Sequence, residues 1–201
     1  RLLLIGRGRI SPSKFEINPR LRINCFTWSQ LPLAPDSIIY AYLNSFLIKS
    51  GIASVNNMVD ITNYLSHLIG QPLHAFDLDD IKYDKMIVKM AEEGEKFTTL
   101  DGVERTLTSD MLVIGNQDKT LDLAGIMGGE NSEIKDTTTS ILIEGASFAK
   151  ENIRATSKKL GLRTEASSRF EKGIDINLTE MAVNRACQLI EELECGRVLN
   201  G

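Results

Sequence analysis

Apolar residues recur at helical spacing in the first part of the chain. Between residues 37 and 49 they stand three or four positions apart, after Asp36, a residue type that caps helices, and before Gly51. This spacing is typical of an amphipathic helix. The same spacing predicts a second helix over 60–69, which Gly70 ends. We expect each helix to bury one apolar face.

Helical spacing returns near the end of the chain. One helix is predicted over 150–160, with Gly161 as its stop. Another begins at Asn177, an N-cap residue type with Glu180 three residues later, and is predicted to end at Gly196. Its buried stripe is predicted to be Val183, Ala186, Leu189, Ile190 and Leu193.

Between residues 86 and 144 the pattern changes to short β runs separated by turn residues. The Asp101-Gly102 pair between two runs predicts a hairpin turn. Alternating apolar and polar residues at 15–17 and 21–23 predict two further short strands. The five central runs are MIVKM, FTTL, MLVIG, TLDLAG and SILIE. Strands grouped between helices, without strict alternation, predict an α+β domain.

Composition restricts the classes of protein to which the chain can belong. Its 201 residues, 42% hydrophobic and 25% charged, suit one soluble globular domain. No apolar run reaches the roughly 20 residues of a membrane helix. The net charge of −4 argues against a surface that binds nucleic acid everywhere. Cys25, Cys187 and Cys195 have no metal-ligand spacing and are predicted to be reduced packing residues.

The chain has two histidines, and one of them is a candidate for function. His67 falls on the helix face opposite the larger apolar residues, so it is predicted to be solvated and to have no role. His74 follows the helix stop in a predicted loop, residues 70–77, from which side chains project toward a nearby cleft. The alternative for His74 is a histidine that only hydrogen-bonds the turn.

Two segments predict the lining of a pocket. Residues 124–130 (AGIMGGE) hold three glycines in a turn after a strand, which permits positive φ and the close approach of a ligand. A tight turn without a ligand is the alternative. Glu144 ends the apolar run 141–143, just before Gly145 and Ala146, where a half-buried acceptor would lie. A glutamate that faces water at the strand edge fits the same pattern.

Basic residues concentrate between residues 150 and 172. Seven basic side chains stand there against three acidic ones, and phosphate binding needs concentrated positive charge. Two interpretations follow, an RNA-contacting patch and an ordinary solvated helix face. The chain shows no nucleophile with a partnering base and no spacing typical of metal ligands.

Six segments carry a resemblance to a known family. They are NNMVDITNY (56–64), GQPLHAFD (70–77), LDG (100–102), AGIMGGENS (124–132), ILIEGASF (141–148) and KKLGLRTEASSRFEKGID (158–175). In this order they resemble the blocks of the B3/B4 domain in bacterial-type phenylalanyl-tRNA synthetase beta subunits, whose signature is NNVVDxTNY followed by GQPxHAFD. The resemblance is nearly continuous from Gly51 to Ile190. Spaced blocks in the same order make the match far more specific than one short motif.

The resemblance implies a fold and a function. The family's domain is an α+β body with a β-sandwich core of unusual topology flanked by helices. Its pocket hydrolyses the ester of tyrosine mischarged onto phenylalanine tRNA, the editing reaction. The resemblance also implies that residues 51–201 form this editing domain, that residues 1–50 are a divergent leading segment of the same domain, and that the chain is a fragment of a larger beta subunit.

By motif position, the resemblance implies roles for the residues around the pocket. Glu144 would accept a hydrogen bond from the tyrosine hydroxyl, and Thr164 and Ala166 would shape the pocket wall. Gly125 and Gly128 would line the pocket with backbone, which leaves room for the substrate and for the attacking water. A pocket built this way would spare phenylalanine, because phenylalanine leaves the acceptor without a partner.

His74 and Asn63 are the catalytic residues that the resemblance implies, and they would orient the ester while a positioned water attacks. No cofactor or metal is implied in this domain, since ATP and magnesium would be used on the alpha subunit. The implied partners are phenylalanine tRNA, the alpha subunit and the rest of the beta subunit, in the cytoplasm and without a membrane. The implied RNA contacts are Lys158, Lys159, Arg163 and Arg169.

The chain departs from the family at one position close to the pocket. Many family members have GIRPINN, whereas this chain has GIASVNN at 51–57, so that Ala53 stands where they have an arginine. Loss of that positive charge would weaken the contact with the tRNA end or the stability of the pocket. The alternative function is therefore a non-catalytic, tRNA-contacting scaffold domain of the synthetase, with editing weakened or lost.

Overall fold

A computed structural model describes residues 15–17, 23–25, 38–81 and 86–199. Within these ranges the helices are α1 (Ile38–Lys49), α2 (Asn57–Ile69), α3 (Lys150–Leu160), α4 (Glu165–Phe170) and α5 (Leu178–Glu192). The strands are β1 (Phe15–Ile17), β2 (Ile23–Cys25), β3 (Leu73–Asp77), β4 (Met86–Met90), β5 (Lys96–Thr98), β6 (Glu104–Thr106), β7 (Leu112–Gly115), β8 (Thr120–Leu123), β9 (Met127–Gly128), β10 (Ser140–Gly145) and β11 (Gly196–Val198). The predicted α+β class is confirmed.

The strands form two larger antiparallel sheets and one hairpin. The first sheet has the order β1-β4-β7-β8-β9, and the second has the order β11-β2-β10-β3. The hairpin joins β5 to β6. Buried apolar side chains of both sheets and of α1, α2, α3 and α5 belong to one hydrophobic core. The strands of the second sheet come from distant parts of the chain, so their pairing depends on tertiary contacts more than on local sequence.

The first two predicted helices are present. α1 covers nearly the predicted range, and Gly51 follows it, while its predicted cap, Asp36, lies outside the described residues. α2 ends before Gly70 as predicted but begins at Asn57, three residues earlier than the sequence pattern indicates. The earlier start has a local cause, because the side chain of Asn56 accepts a hydrogen bond from the Val59 N–H at 2.9 Å and so caps the first turn.

The later helices agree with the pattern except at the ends of α5. α3 has the predicted bounds. Asn177 precedes α5, but the predicted side-chain cap is wrong, because the Asn177 amide instead donates to the Asp175 carboxylate at 2.8 Å. Gly196 is not the helix stop either. α5 ends at Glu192, and Gly196 begins β11, which pairs with β2.

The predicted strand region is confirmed, and each of the five runs contains a strand. The Asp101-Gly102 turn lies between β5 and β6, where the Gly102 N–H donates to the Thr99 carbonyl oxygen at 2.8 Å. Near the start of the chain, β1 has the predicted bounds. β2 begins at Ile23, and residues 21 and 22 lie outside the described part.

Several short elements were not predicted, and two of them, β3 and α4, contribute to the site. β3 occupies most of the segment interpreted as a loop, and α4 is a six-residue helix within the basic stretch. Both are short, so periodicity alone gives a weak signal for either. β3 is a strand because it pairs along its whole length with β10, about 65 to 70 residues later in the chain.

The remaining expectations from composition concern membranes and cysteines. Within residues 38–81 and 86–199, no helix combines the length and the apolarity needed to cross a bilayer. Cys187 and Cys195 are free thiols, and Cys195 is fully buried in the core. Their predicted role in packing is confirmed, while the side chain of Cys25 lies outside the described residues.

Candidate functional site

The pairing of β3 with β10 places His74 directly opposite Glu144. Directly opposed residues of antiparallel strands project to the same face of the sheet, so the imidazole and the carboxyl group share one side. The prediction that His74 projects from a loop is therefore wrong, because a regular strand holds it. Gln71 anchors the start of this strand by donating a buried hydrogen bond to the Ala146 carbonyl oxygen at 2.8 Å.

A third titratable side chain, Asp122, comes from β8 in the other sheet. Its Oδ2 atom lies 3.8 Å from Nε2 of His74, and Asp122 and Glu144 line the same pocket of about 70 Å³. Asp122 is 4% exposed and Glu144 is 6% exposed. The two sheets thus contribute one carboxyl group each to a single enclosed space, with the imidazole beside them.

The apolar surroundings of the pocket shift the protonation of all three groups. Although 28% of the His74 side chain is exposed, burial lowers the pKa of its imidazole to about 4. Burial raises the pKa of Asp122 to about 7. Burial and the neighbouring Asp122 together raise the pKa of Glu144 well above its usual range. At neutral pH, His74 is therefore an uncharged base, and the two carboxyl groups together hold at least one proton.

The glycine turn forms part of the pocket. At two of its positions a side chain would collide with a neighbouring residue, which explains why glycine stands there. Gly125 has φ of +67°, and a Cβ atom there would stand 2.7 Å from Cδ2 of Phe148. A Cβ atom at Gly128 would stand 2.6 Å from Cε1 and 2.8 Å from Nε2 of His74. The expectation of positive φ holds for Gly125 only, since Gly128 belongs to β9 and keeps an extended backbone. The absent side chain of Gly128 is what lets the imidazole lie against the backbone.

α4 supplies the apolar wall of the pocket. Ala166 and Phe170 of this helix line the space together with Phe148, whose ring packs edge-on against Phe170 at 5.0 Å between centroids. Thr164 does not line the pocket itself. It caps α4, and its hydroxyl donates to the Ile126 carbonyl oxygen at 2.8 Å, so that it joins the wall to the glycine turn.

We expect Thr164→Val to loosen α4 without removing any pocket group. The variant loses the hydrogen bond to the turn and the cap on the Ser167 N–H, and a lost N-cap costs about 1 kcal/mol. Amide exchange at the first turn of α4, measured by mass spectrometry on the intact subunit, should accelerate roughly five- to tenfold. Thr164→Ser keeps both hydrogen bonds and is the matched control. Equal exchange in both variants would contradict the capping role.

Asn63 and Ala53 lie apart from this pocket. Asn63 is half-buried on α2 and is not among the residues that line the pocket. Its implied part in orienting the ester stays a prediction. Ala53 is exposed in the segment before α2, and that segment is held by the Asp60 carboxylate, which accepts hydrogen bonds from Ser54 and from the Val55 N–H.

Most of the implied RNA contacts already have acidic partners. Lys159 lies 3.0 Å from a carboxylate oxygen of Asp110, and Arg163 lies 3.1 Å from one of Glu171. Lys158 is exposed on α3. These ion pairs reduce the positive charge that the stretch presents to a phosphate, which favours the solvated-face interpretation for Lys159 and Arg163.

Arg169, the fourth implied contact, has a different environment. Its guanidinium group lies 3.5 Å from a carboxylate oxygen of Glu165 and 3.4 Å from Nδ1 of His67. His67 is therefore half-buried rather than solvated as predicted, and the Arg169 side chain of α4 contacts its ring. No functional role for His67 follows from the contact.

Asp122 is the residue of the site that the sequence patterns did not single out. It stands in the run TLDLAG, which was interpreted as a strand, and an aspartate in such a run can also face solvent. The available signal was its position between Leu121 and Leu123, three residues before Gly125. All four residues of β8 are buried, and only the structure shows that the Asp122 carboxyl group meets the other sheet.

Other cavities and side-chain clusters among the described residues are weaker candidates for a functional site. A larger groove of about 520 Å³ is lined by Lys89, Lys96, Lys119 and several acidic residues. None of its titratable side chains is buried. Over residues 38–81 and 86–199, no group of three His, Cys, Asp or Glu side chains has the arrangement of a metal site. The smaller pocket differs from this groove because two of the carboxyl groups that line it, those of Asp122 and Glu144, are buried.

Comparison with known proteins agrees with this architecture. The sequence model of the B3/4 domain matches residues 40–195. The chain therefore belongs to the B3/4 domain family, whose resemblance the sequence motifs already indicated.

The relatives of the chain are named phenylalanine–tRNA ligase beta subunits. That of Clostridium tetani is 51% identical over 160 residues, which cover 80% of this chain and 20% of the relative. That of Geobacter metallireducens is 52% identical over 161 residues, again 80% and 20% of the two chains. That of Carboxydothermus hydrogenoformans is 51% identical over 157 residues, 78% and 20% of the two chains. The chain thus spans about a fifth of the length of the curated relatives it matches.

Proposed function

We propose that this chain is the editing module of a phenylalanyl-tRNA synthetase beta subunit and that it hydrolyses the ester of tyrosine mischarged onto phenylalanine tRNA. The observation that carries the proposal is Glu144, a buried carboxyl group that faces His74 in a pocket with aromatic walls, where the described lining residues include no Lys or Arg. Membership of the B3/4 family and similarity to beta subunits support it.

The recognition step follows from desolvation. A tyrosine ring enters along Phe148 and Phe170, and its hydroxyl hydrogen-bonds to Glu144 at the polar end of the pocket. A phenylalanine ring would bury the same carboxyl group and give it no partner. Sites that hydrogen-bond a substrate hydroxyl reject the analogue without it by about 10⁴- to 10⁵-fold. The correct product, phenylalanyl-tRNA, is therefore spared.

The hydrolytic step needs a water held near the ester. His74 is uncharged at neutral pH because burial lowers its pKa to about 4, so its free nitrogen can accept a hydrogen bond from that water. The terminal hydroxyl of the RNA is a second candidate helper. Gly128 leaves backbone, without a side chain, beside the imidazole, and Gly125 does the same beside Phe148 and Phe170. The proposal includes no metal and no covalent intermediate.

The proposed partners are those of the whole synthetase. They are phenylalanine tRNA, the alpha subunit and the remainder of the beta subunit, in the cytoplasm. ATP and magnesium would act at the alpha subunit in the charging reaction. Lys158 is the implied RNA contact that we favour, because it is exposed on α3, whereas Lys159, Arg163 and Arg169 each contact a carboxylate.

A second candidate function is a scaffold that contacts tRNA without hydrolysing its ester. Ala53 favours it, because an exposed alanine occupies the position of an arginine in many family members. The intact catalytic-type pocket favours editing, because a scaffold has no need to keep two carboxyl groups buried at an energetic cost.

A deacylation assay distinguishes the two functions. Tyrosine and phenylalanine are each esterified to phenylalanine tRNA, and the decay of both esters is followed with the whole synthetase that contains this chain. We expect the tyrosyl ester to be cleaved at least about 100-fold faster than the phenylalanyl ester. The same tRNAs without enzyme give the background rate. Equal decay of both esters at the background rate would establish the scaffold function instead.

A further inference from the structure

Asp122 has no part in the recognition described above, yet it is the most confined polar group of the pocket. It is 4% exposed, and within the described part of the chain its Oδ1 atom has no hydrogen-bond partner. Its Oδ2 atom lies 3.8 Å from Nε2 of His74, which is beyond hydrogen-bonding distance. A buried carboxyl oxygen without a partner, on the wall of a ligand-sized space, is costly unless a ligand satisfies it.

The titratable groups around Asp122 come from two of the elements that line the pocket. β3 contributes His74, β10 contributes Glu144, and the turn before β9, the segment after β10 and α4 contribute only uncharged lining residues. The nearest cation of α4 is Arg169, whose guanidinium group contacts Glu165 and His67 instead. Two carboxyl groups therefore share one apolar space without a positive side chain.

Two buried carboxyl groups in such a space cannot both ionise at low cost, so one proton stays with the pair. The geometry points to Asp122 as a second specificity-determining residue, which shares a single proton with Glu144 so that the pair contacts the ring hydroxyl of the substrate from two sides. The ionised member accepts the hydroxyl proton, and the protonated member donates to the hydroxyl oxygen. This inference rests on the proposed function, since it describes how the same pocket recognises its substrate.

The shared proton resolves a difficulty in the simpler picture. Burial raises the pKa of both groups, and Asp122 raises that of Glu144 further, so Glu144 by itself would be a neutral acid and a weaker acceptor. With two carboxyl groups and one proton, the pocket keeps one charged acceptor and one donor at the same time. Protons then leave the pair in two steps that belong to both residues.

The inference predicts how binding depends on pH. As pH rises through the upper pKa of the pair, the one proton that the two carboxyl groups share leaves. The donor is then lost and two negative charges remain. Affinity for a ring hydroxyl should then fall by about tenfold per pH unit. In Asp122→Asn the amide supplies the donor permanently, and only Glu144 titrates, without a charged neighbour. Because burial still raises the pKa of Glu144 in this variant, its affinity should stay level or rise over the same range as that carboxyl group ionises, and it should not fall.

The experiment uses a non-hydrolysable analogue of the tRNA end, 3′-deoxy-3′-(L-tyrosylamino)adenosine. Its dissociation constant is measured by calorimetry on the intact synthetase from about pH 6 to about pH 9, a range chosen to include the upper step of the pair and to stay below the phenol's own pKa of about 10. The charging site is filled beforehand with a phenylalanyl-adenylate analogue. Asp118→Asn, an exposed aspartate in the turn between β7 and β8, is the matched control and should follow the wild-type profile.

Each outcome decides the inference. A wild-type affinity that falls with pH and an Asp122→Asn affinity that does not would support it. A flat wild-type profile, or the same falling profile in both proteins, would overturn it. In the second case, if Glu144→Ala still abolishes the preference for the tyrosyl over the phenylalanyl analogue, the proposed function stands and only the role of Asp122 fails. If the wild-type enzyme shows no such preference, both fail together.

Discussion

Glu144→Ala is expected to reduce kcat/KM for the hydrolysis of tyrosyl-tRNA by about 100-fold, while the slow hydrolysis of phenylalanyl-tRNA stays the same or rises. The reason is that alanine removes the buried partner of the ring hydroxyl and also removes the penalty that excludes a bare phenyl ring. The measured quantity is the ratio of kcat/KM for the two esters with the whole synthetase. We expect this ratio to fall toward unity.

Two controls make the Glu144 result specific. Glu144→Gln keeps the shape of the side chain and offers a carbonyl acceptor, so it should retain part of the preference for tyrosine. Glu133→Gln changes an exposed glutamate in the segment before β10 and should leave the ratio as in the wild type. A ratio that is unchanged in Glu144→Ala would show that the hydroxyl is recognised elsewhere.

Gly128→Ala is expected to reduce the hydrolysis of tyrosyl-tRNA about 100-fold, because one methyl group displaces the imidazole of His74. The new Cβ atom would stand 2.6 Å from Cε1 and 2.8 Å from Nε2 of that ring, closer than van der Waals contact allows. The backbone of Gly128 has no positive φ, so alanine fits it without strain. A misplacement of about 1 Å at a catalytic group can cost about 10² in rate. The measurement is single-turnover deacylation.

A double-mutant cycle with His74→Ala identifies the cause. If Gly128→Ala acts only by moving the imidazole, it should add little to the loss that His74→Ala already produces, because the ring it displaces is absent. Full additivity of the two effects would mean that the methyl group blocks the substrate rather than the histidine. A Gly128→Ala enzyme of wild-type activity would remove His74 from the proposed mechanism.

Local sequence patterns were sufficient for the longer elements. α1, α2 and α3 are each followed within two residues by a glycine, and their predicted C-terminal ends agree with the structure. The start of α2 was misplaced because the Asn56 cap is a side-chain contact that apolar spacing does not reveal. Longer periodic segments carry more independent positions, so their type is the most reliable inference from one sequence.

The arrangement of the site was harder to predict from the sequence, since it depends on contacts between distant segments. His74 and Glu144 were both recognised as candidates, but their opposition arises from the register of β3 against β10. Asp122 was missed because one aspartate in a strand does not indicate which sheet will cover it. Asn63 belongs to the sequence block just before the one that holds His74, yet this nearness along the sequence did not place its side chain in the pocket lining.

The two halves of the pocket differ in how firmly the fold holds them. Glu144 lies on β10, an interior strand hydrogen-bonded to β2 on one side and to β3 on the other, whereas Ala166 lies on a helix of only six residues. The polar end is therefore rigid, and the apolar wall is the more adaptable part. During divergence, such a domain could come to admit a bulkier or smaller ring through changes in α4 alone, while the carboxyl groups that we propose to recognise a hydroxyl are inherited intact.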